Sequence, residues 1–90
     1  IARRVDVTNE HAVMDLAAAT EAELGDPWLI CNNAGVNKFK PLWEFTHAEW
    51  DWIVGVNLWG VINGIRAFVP GLVRRPPGYA VNASSAAGLY

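Results

Sequence analysis

Short apolar runs alternate along the chain with longer segments of helical period. Residues 2–7 (Ala-Arg-Arg-Val-Asp-Val) are short and partly β-branched, the pattern of a strand. Thr8-Asn9 then offers a cap for a helix over residues 10–24, which Gly25 ends. Within it Val13, Leu16, Ala17 and Leu24 recur near helical spacing, while Glu10, Asp15, Glu21 and Glu23 fall off the stripe. One face of this helix is therefore expected to pack inward.

Asp26-Pro27 turns into Trp28-Leu29-Ile30-Cys31, a continuous apolar run that suits a strand buried on both faces and that stops at Asn32-Asn33-Ala34-Gly35. After a polar loop, Thr46-His47-Ala48-Glu49 has the form of a capping box and starts a long helix. Apolar residues from Trp50 to Val73 cover most of its circumference. Gly55, Gly60, Gly64 and Pro70 predict a bent pair of segments instead of a straight rod. Arg74-Arg75 suit a helix C-terminus, Pro76-Pro77-Gly78 stop the helix, and Tyr79-Ala80-Val81 begins another strand. By the right-handed crossover rule, this order implies a parallel sheet covered by helices, with ligands outside the carboxyl ends of its strands. Those ends carry Asp6, Asn32-Asn33 and Ser84-Ser85.

A net charge of −2 with scattered basic residues leaves no electropositive stripe, so no nucleic-acid partner is expected. Cys31 is the only cysteine, which excludes an intrachain disulfide, and no Cys/His spacing resembles a metal site. Inside its strand Cys31 should behave as a small buried apolar residue. Gly, Asn, Arg and Pro interrupt the apolar stretches before the roughly 20 residues a bilayer requires, so neither a spanning helix nor a membrane partner is expected. Ile1 stands first and no basic-then-apolar leader precedes the first strand, so the expectation is a soluble, cytoplasmic protein. The five tryptophans are expected in the core or an interface.

Asp6-Val7-Thr8, Asn32-Asn33-Ala34-Gly35, Val56-Asn57-Leu58-Trp59-Gly60 and Asn82-Ala83-Ser84-Ser85-Ala86-Ala87-Gly88 stand in an order and at intervals similar to those of the short-chain dehydrogenase/reductase family. Any one motif alone is weak; the four together are specific and cover essentially the whole chain. The resemblance implies a Rossmann-type doubly wound parallel sheet of three layers, α/β/α. Residues 2–6, 28–31 and 79–83 would be its third, fourth and fifth strands, and residues 1–90 one partial NAD(P)-binding domain. In the strand order 3-2-1-4-5-6, the third strand pairs with the second, which is not among these residues. Its buried N–H and C=O groups would go unpaired at about 1–3 kcal/mol each, so the segment is not expected to fold alone.

The resemblance also implies roles. Asp6 and Val7 would meet the adenine side of NAD or NADP, and Asn33, Ala34 and Gly35 would line its adenosine-ribose region. Asn57 would act indirectly in catalysis: it marks a helix distortion whose backbone carbonyl helps hold a water linked to the active-site lysine. Ser85 would be the catalytic serine that holds the substrate oxygen, since Ser85-Ala86-Ala87-Gly88 matches the family's frame and Ser84 is one residue out. Tyr90 stands too close to Ser85 to be the catalytic tyrosine and would sit beside the substrate pocket. Taken singly, each residue has a plainer reading as a turn aspartate, an Asn-Gly-type turn, a satisfied buried asparagine or a capping serine.

The implied activity is hydride transfer between a nicotinamide and a small-molecule alcohol or ketone, without a metal. The helix over 47–75 would pack against its counterpart in a homodimer or homotetramer. An isomerase or lyase of the same fold, or a non-catalytic or truncated nucleotide-binding relative, are the alternatives. A Tyr-x-x-x-Lys beyond Tyr90 together with a glycine-rich turn before Ile1 would discriminate, and both are absent from these residues.

Overall fold

The computed structural model describes residues 1–89. Helix α1 (Glu10–Leu24) starts where expected: the Asn9 side chain accepts from Ala12 N at 3.1 Å, and Gly25, at φ 89°, ends it in a conformation that only glycine adopts without strain. Val13 and Ala17 are its buried residues, whereas Leu24, expected on the inward stripe, is exposed. Strand β1 (Leu29–Asn32) pairs in parallel with β2 (Tyr79–Asn82), in a register that sets Leu29 opposite Tyr79 and Asn32 opposite Asn82.

Between the strands run α2 (His47–Val54), a π-helical turn (Gly55–Trp59) and α3 (Gly60–Arg74). The capping box is present: Glu49 N donates to Thr46 Oγ1 at 3.2 Å and Thr46 N to Glu49 Oε1 at 3.3 Å. The expected bend takes a specific form. The helix stays continuous through Pro70, and its irregularity is confined to the π turn, closed by Gly60 N donating to Gly55 O. The interruptions that were expected to exclude a membrane-length helix therefore do not break it: His47–Arg74 runs 28 residues and is long and apolar enough by composition to cross a bilayer. In this fold it lies against α1 and on both strands, burying Gly60, Asn63, Gly64, Ala67, Gly71 and Leu72.

Glycines make that close packing possible. A Cβ at Gly60 would lie 2.7 Å from Val7 Cγ2 and one at Gly71 would lie 2.9 Å from the Pro27 ring. At the far end of α3, Arg74 bonds Glu21 at 2.7 Å and Asp26 at 3.0 Å, fastening the helix to the end of α1. These carboxylates, Asp26 foremost, raise the guanidinium pKa further above its ordinary value.

Three further expectations are corrected. Residues 1–6 form no strand, because no neighbouring strand among the described residues meets their N–H and C=O groups. β1 is not buried on both faces and Cys31 is exposed, since among the described residues α3 covers the side of Ile30 and Asn32 and no element packs on the side of Leu29 and Cys31. The tryptophans do not build the core: Trp28, Trp43, Trp50, Trp52 and Trp59 are all exposed. The apolar residues buried among those described are Val13, Ala17, Ala67 and Leu72.

The surface area of 6650 Å² exceeds the roughly 5200 Å² of a compact monomer of this length. The radius of gyration of 14.9 Å likewise exceeds the expected value of about 12 Å. So small a core does not offset the conformational entropy of ordering the chain. The isolated 90-residue peptide is therefore expected to show no cooperative thermal transition by circular dichroism; a sharp, reversible melt would contradict this.

Candidate active site

The carboxyl ends of β1 and β2 lie side by side. Asn32 Nδ2 donates to Asn82 Oδ1 at 2.8 Å, and Ala83 N continues the pairing to Asn32 O at 3.0 Å. Gly64 leaves room for this pair, since a Cβ there would collide with Asn32 Oδ1. The backbone beyond β1 bears Asn33, Ala34 and Gly35, and the backbone beyond β2 bears Ser84 and Ser85. A cleft of about 580 Å³ opens between them, and Asn57 also lines it. Three of the four sequence motifs thus meet in one cavity.

Asn57 sits in the π turn and grips Val36 twice: Val36 N donates to Asn57 Oδ1 and Asn57 Nδ2 donates to Val36 O, both at 2.8 Å. One carboxamide satisfies both backbone groups of that residue, as a neighbouring strand would. The helix distortion at Asn57 was implied by the family resemblance; the side-chain clamp was not legible, because nothing in the local pattern relates Asn57 to Val36. A Cβ at Gly35 would lie 3.5 Å from Asn57 Oδ1, an ordinary contact, so packing within the chain does not demand glycine there. Its missing side chain instead keeps the cleft wall open.

Ser85 Oγ accepts from Ala87 N at 3.2 Å at the start of the short 3₁₀ turn Ala86–Leu89. The capping role and the catalytic one are compatible. The bond occupies one lone pair and turns the hydroxyl, whose proton remains free to be donated. Tyr90 lies outside the described residues.

Asp6 and Val7 do not line this cleft. Val7 borders a second cleft of about 360 Å³, which Asn33 and Ala34 also line, so the residues after β1 are common to both cavities. Asp6 Oδ1 accepts from Thr8 N at 2.9 Å and Thr8 Oγ1 at 2.8 Å, which lowers the carboxyl pKa from its ordinary value. Its Oδ2 has no hydrogen-bond partner among the described residues. Asn63, which the sequence reading passed over, donates through Nδ2 to Val7 O at 2.8 Å. A buried asparagine in an otherwise apolar helix was the available signal.

The loop after Val36 is tied to α2 by charge. Lys40 Nζ lies 2.6 Å from Glu49 Oε1 and Lys38 Nζ 2.9 Å from Oε2. Lys40 first and Lys38 second hold the Glu49 carboxyl down to about 2, against an ordinary 4.5. Glu49 thus serves both as capping-box residue and as loop anchor.

The family profile described as short chain dehydrogenase matches residues 1–90. A C alpha-dehydrogenase of a Sphingobium strain is 43% identical over 87 residues, covering 94% of this chain and 28% of that protein. A short chain dehydrogenase/reductase of Burkholderia phymatum, solved in complex with NAD, superposes with TM-score 0.94 at 41% identity, over 100% of this chain and 32% of that one. An alcohol dehydrogenase of Thermococcus sibiricus, complexed with 5-hydroxy-NADP, does so with TM-score 0.87 at 30% identity, over 92% and 35%. The chain therefore spans about a third of the length of the relatives it matches.

Two outcomes follow in the full-length protein. Replacing Asn57 by Leu should cost about 1 kcal/mol and strip hydrogen-exchange protection from the Val36 amide, since both backbone groups lose their partner; unchanged protection would refute the clamp. Because the Glu49 pKa is depressed, its contribution is complete above pH 4.5 and lost as pH falls toward 2. Glu49→Gln should abolish that part of the acid dependence of stability, measured as denaturation midpoint against pH.

Proposed function

The chain belongs to the short-chain dehydrogenase family, and from that premise we propose that it forms part of an NAD(P)-dependent oxidoreductase acting on a small-molecule alcohol or ketone. The observation that carries this reading is the single cleft at the strand ends, where the Asn33-Ala34-Gly35 segment, Asn57 and Ser85 converge.

The residues present fit the adenosine side of a nicotinamide dinucleotide. Asp6 keeps one carboxylate oxygen to accept a bond from the adenine amino group, and Ala34 and Gly35 leave the backbone open to close approach. NAD in one relative and a modified NADP in another leave both cofactors open for this chain. When bound, the nicotinamide supplies or accepts the hydride. Ser85, its hydroxyl turned by Ala87 N, donates to the substrate oxygen and orients the reacting carbon. Asn57 holds the Val36 backbone, and with it one wall of the cleft, in a fixed position.

A second copy of the chain is the partner we favour for the helix over 47–75, because Trp52, Leu58 and Trp59 stand exposed on it. With its other face seated on α1 and the strands, we take that helix as a core and interface element of a cytoplasmic protein, with neither membrane nor nucleic acid as partner.

Reading the encoding DNA beyond both ends should reveal a glycine-rich turn before Ile1 and a Tyr-x-x-x-Lys after Tyr90. A full-length frame lacking the Tyr/Lys pair would reject the dehydrogenase mechanism. In the full-length enzyme Ser85→Ala should lower kcat by about 10²- to 10³-fold, the scale of losing one oxyanion donor. Dinucleotide affinity should stay unchanged; wild-type turnover in that variant would remove Ser85 from the chemistry.

A further inference from the structure

Asn63 is 6% exposed, the one buried polar residue among the described residues, and lies in a helix whose other buried members are Gly60, Gly64, Ala67, Gly71 and Leu72. Burying a carboxamide in such company is costly unless its bonds are made. The bond it makes is not to its own helix but to Val7 O, 56 positions away at 2.8 Å. Val7 follows Asp6 directly, and the hydrogen bonds of Asp6 stay within the turn: its carboxylate accepts from Thr8, and its carbonyl accepts from Asn9 N at 3.0 Å.

Two further contacts seat the same turn on the same stretch of helix. Gly60 lacks the Cβ that would press on Val7 Cγ2 at 2.7 Å, and a Cβ at Gly55 would touch Thr8 Cγ2 at 3.4 Å. Gly55 and Gly60 bracket the π turn, whose central Asn57 holds Val36 beside the other cleft. One helical segment thus carries the turn bearing Asp6 and also the backbone that follows Gly35.

We propose that Asn63 is a positioning residue for cofactor binding: by holding the Val7 carbonyl it sets the Asp6 carboxylate where the adenine ring of a nicotinamide dinucleotide is received. The inference rests on the reading of Asp6 as a cofactor contact. Val5, just before the turn, packs against the Val13, Ala17 and Ala67 cluster, and the Asn63 bond fixes the carbonyl two residues on. Preorganising the acceptor removes an ordering cost from each binding event. An apolar residue at position 63 would leave the Val7 carbonyl unpaired and free the turn to rotate.

The test is a double-mutant cycle in the full-length protein, with Asn63→Leu and Asp6→Asn alone and combined. Dissociation constants are measured calorimetrically for ADP-ribose, which keeps the adenine side and lacks the nicotinamide, and for whichever of NADH and NADPH binds more tightly. Melting temperatures are recorded alongside. Asn63→Leu is expected to weaken both ligands about tenfold, the scale of one lost buried hydrogen bond. Its effect should largely vanish in the Asp6→Asn background, because the two residues act through one contact. Affinity at the wild-type level in Asn63→Leu, or effects of the two substitutions that simply add, would overturn the proposal. If Asp6→Asn alone leaves ADP-ribose affinity unchanged, the reading of Asp6 fails and the proposal falls with it. Should Asn63→Leu not fold, Asn63→Ser, which keeps a donor but withdraws it by one bond, must show the same non-additivity.

Discussion

The arrangement depends on the π turn at Gly55–Trp59. The helix from His47 to Arg74 has to meet two separate loops while keeping a glycine-lined face on the sheet. In a regular α-helix each side chain's direction is set by its place in the 3.6-residue period. One wider turn relaxes that condition locally. It lets Asn57 reach Val36 while Gly60 and Asn63, just beyond it, receive Val7. π turns recur at functional sites for this reason: they re-aim side chains without ending the helix.

Much of what holds the site together is polar. Side chains stand in for backbone partners at Val36 and Val7, and the Asn32–Asn82 pair joins the two strand ends. Loops carry backbone groups that no ladder satisfies, so whatever fixes them must supply both donors and acceptors, and asparagine has both in one short side chain. That explains why Asn32, Asn57, Asn63 and Asn82 recur around the strand ends, where a hydrophobic contact would exclude water but set no direction. The apolar core contributes less, with few large side chains buried.

Charge plays a supporting part at the periphery. Glu49 gathers Lys38 and Lys40 onto the first turn of α2, and Arg74 ties the last turn of α3 to Glu21 and Asp26. Both lie near helix ends, where the charges also suit the helix dipole: an acid at the N-terminal turn and a base at the C-terminal one. The long helix is thereby held at its two ends by ions and at its middle by hydrogen bonds.

Local patterns in the sequence by themselves determined the elements and the chemistry on offer. The Asn9 cap, Gly25, the Thr46-Glu49 box and the two short apolar runs mark α1, α2 and both strands, because caps, turns and periodicity act over a few residues. The spacing of the four motifs likewise indicated the family and which serine and asparagine to examine. Tertiary structure alone decided the pairing of Asn57 with Val36 and of Asn63 with Val7, and the exposure of Cys31 and the tryptophans. Those contacts join residues far apart in the chain, and burial depends on which neighbouring surfaces are present, so neither is written in the local order of residues.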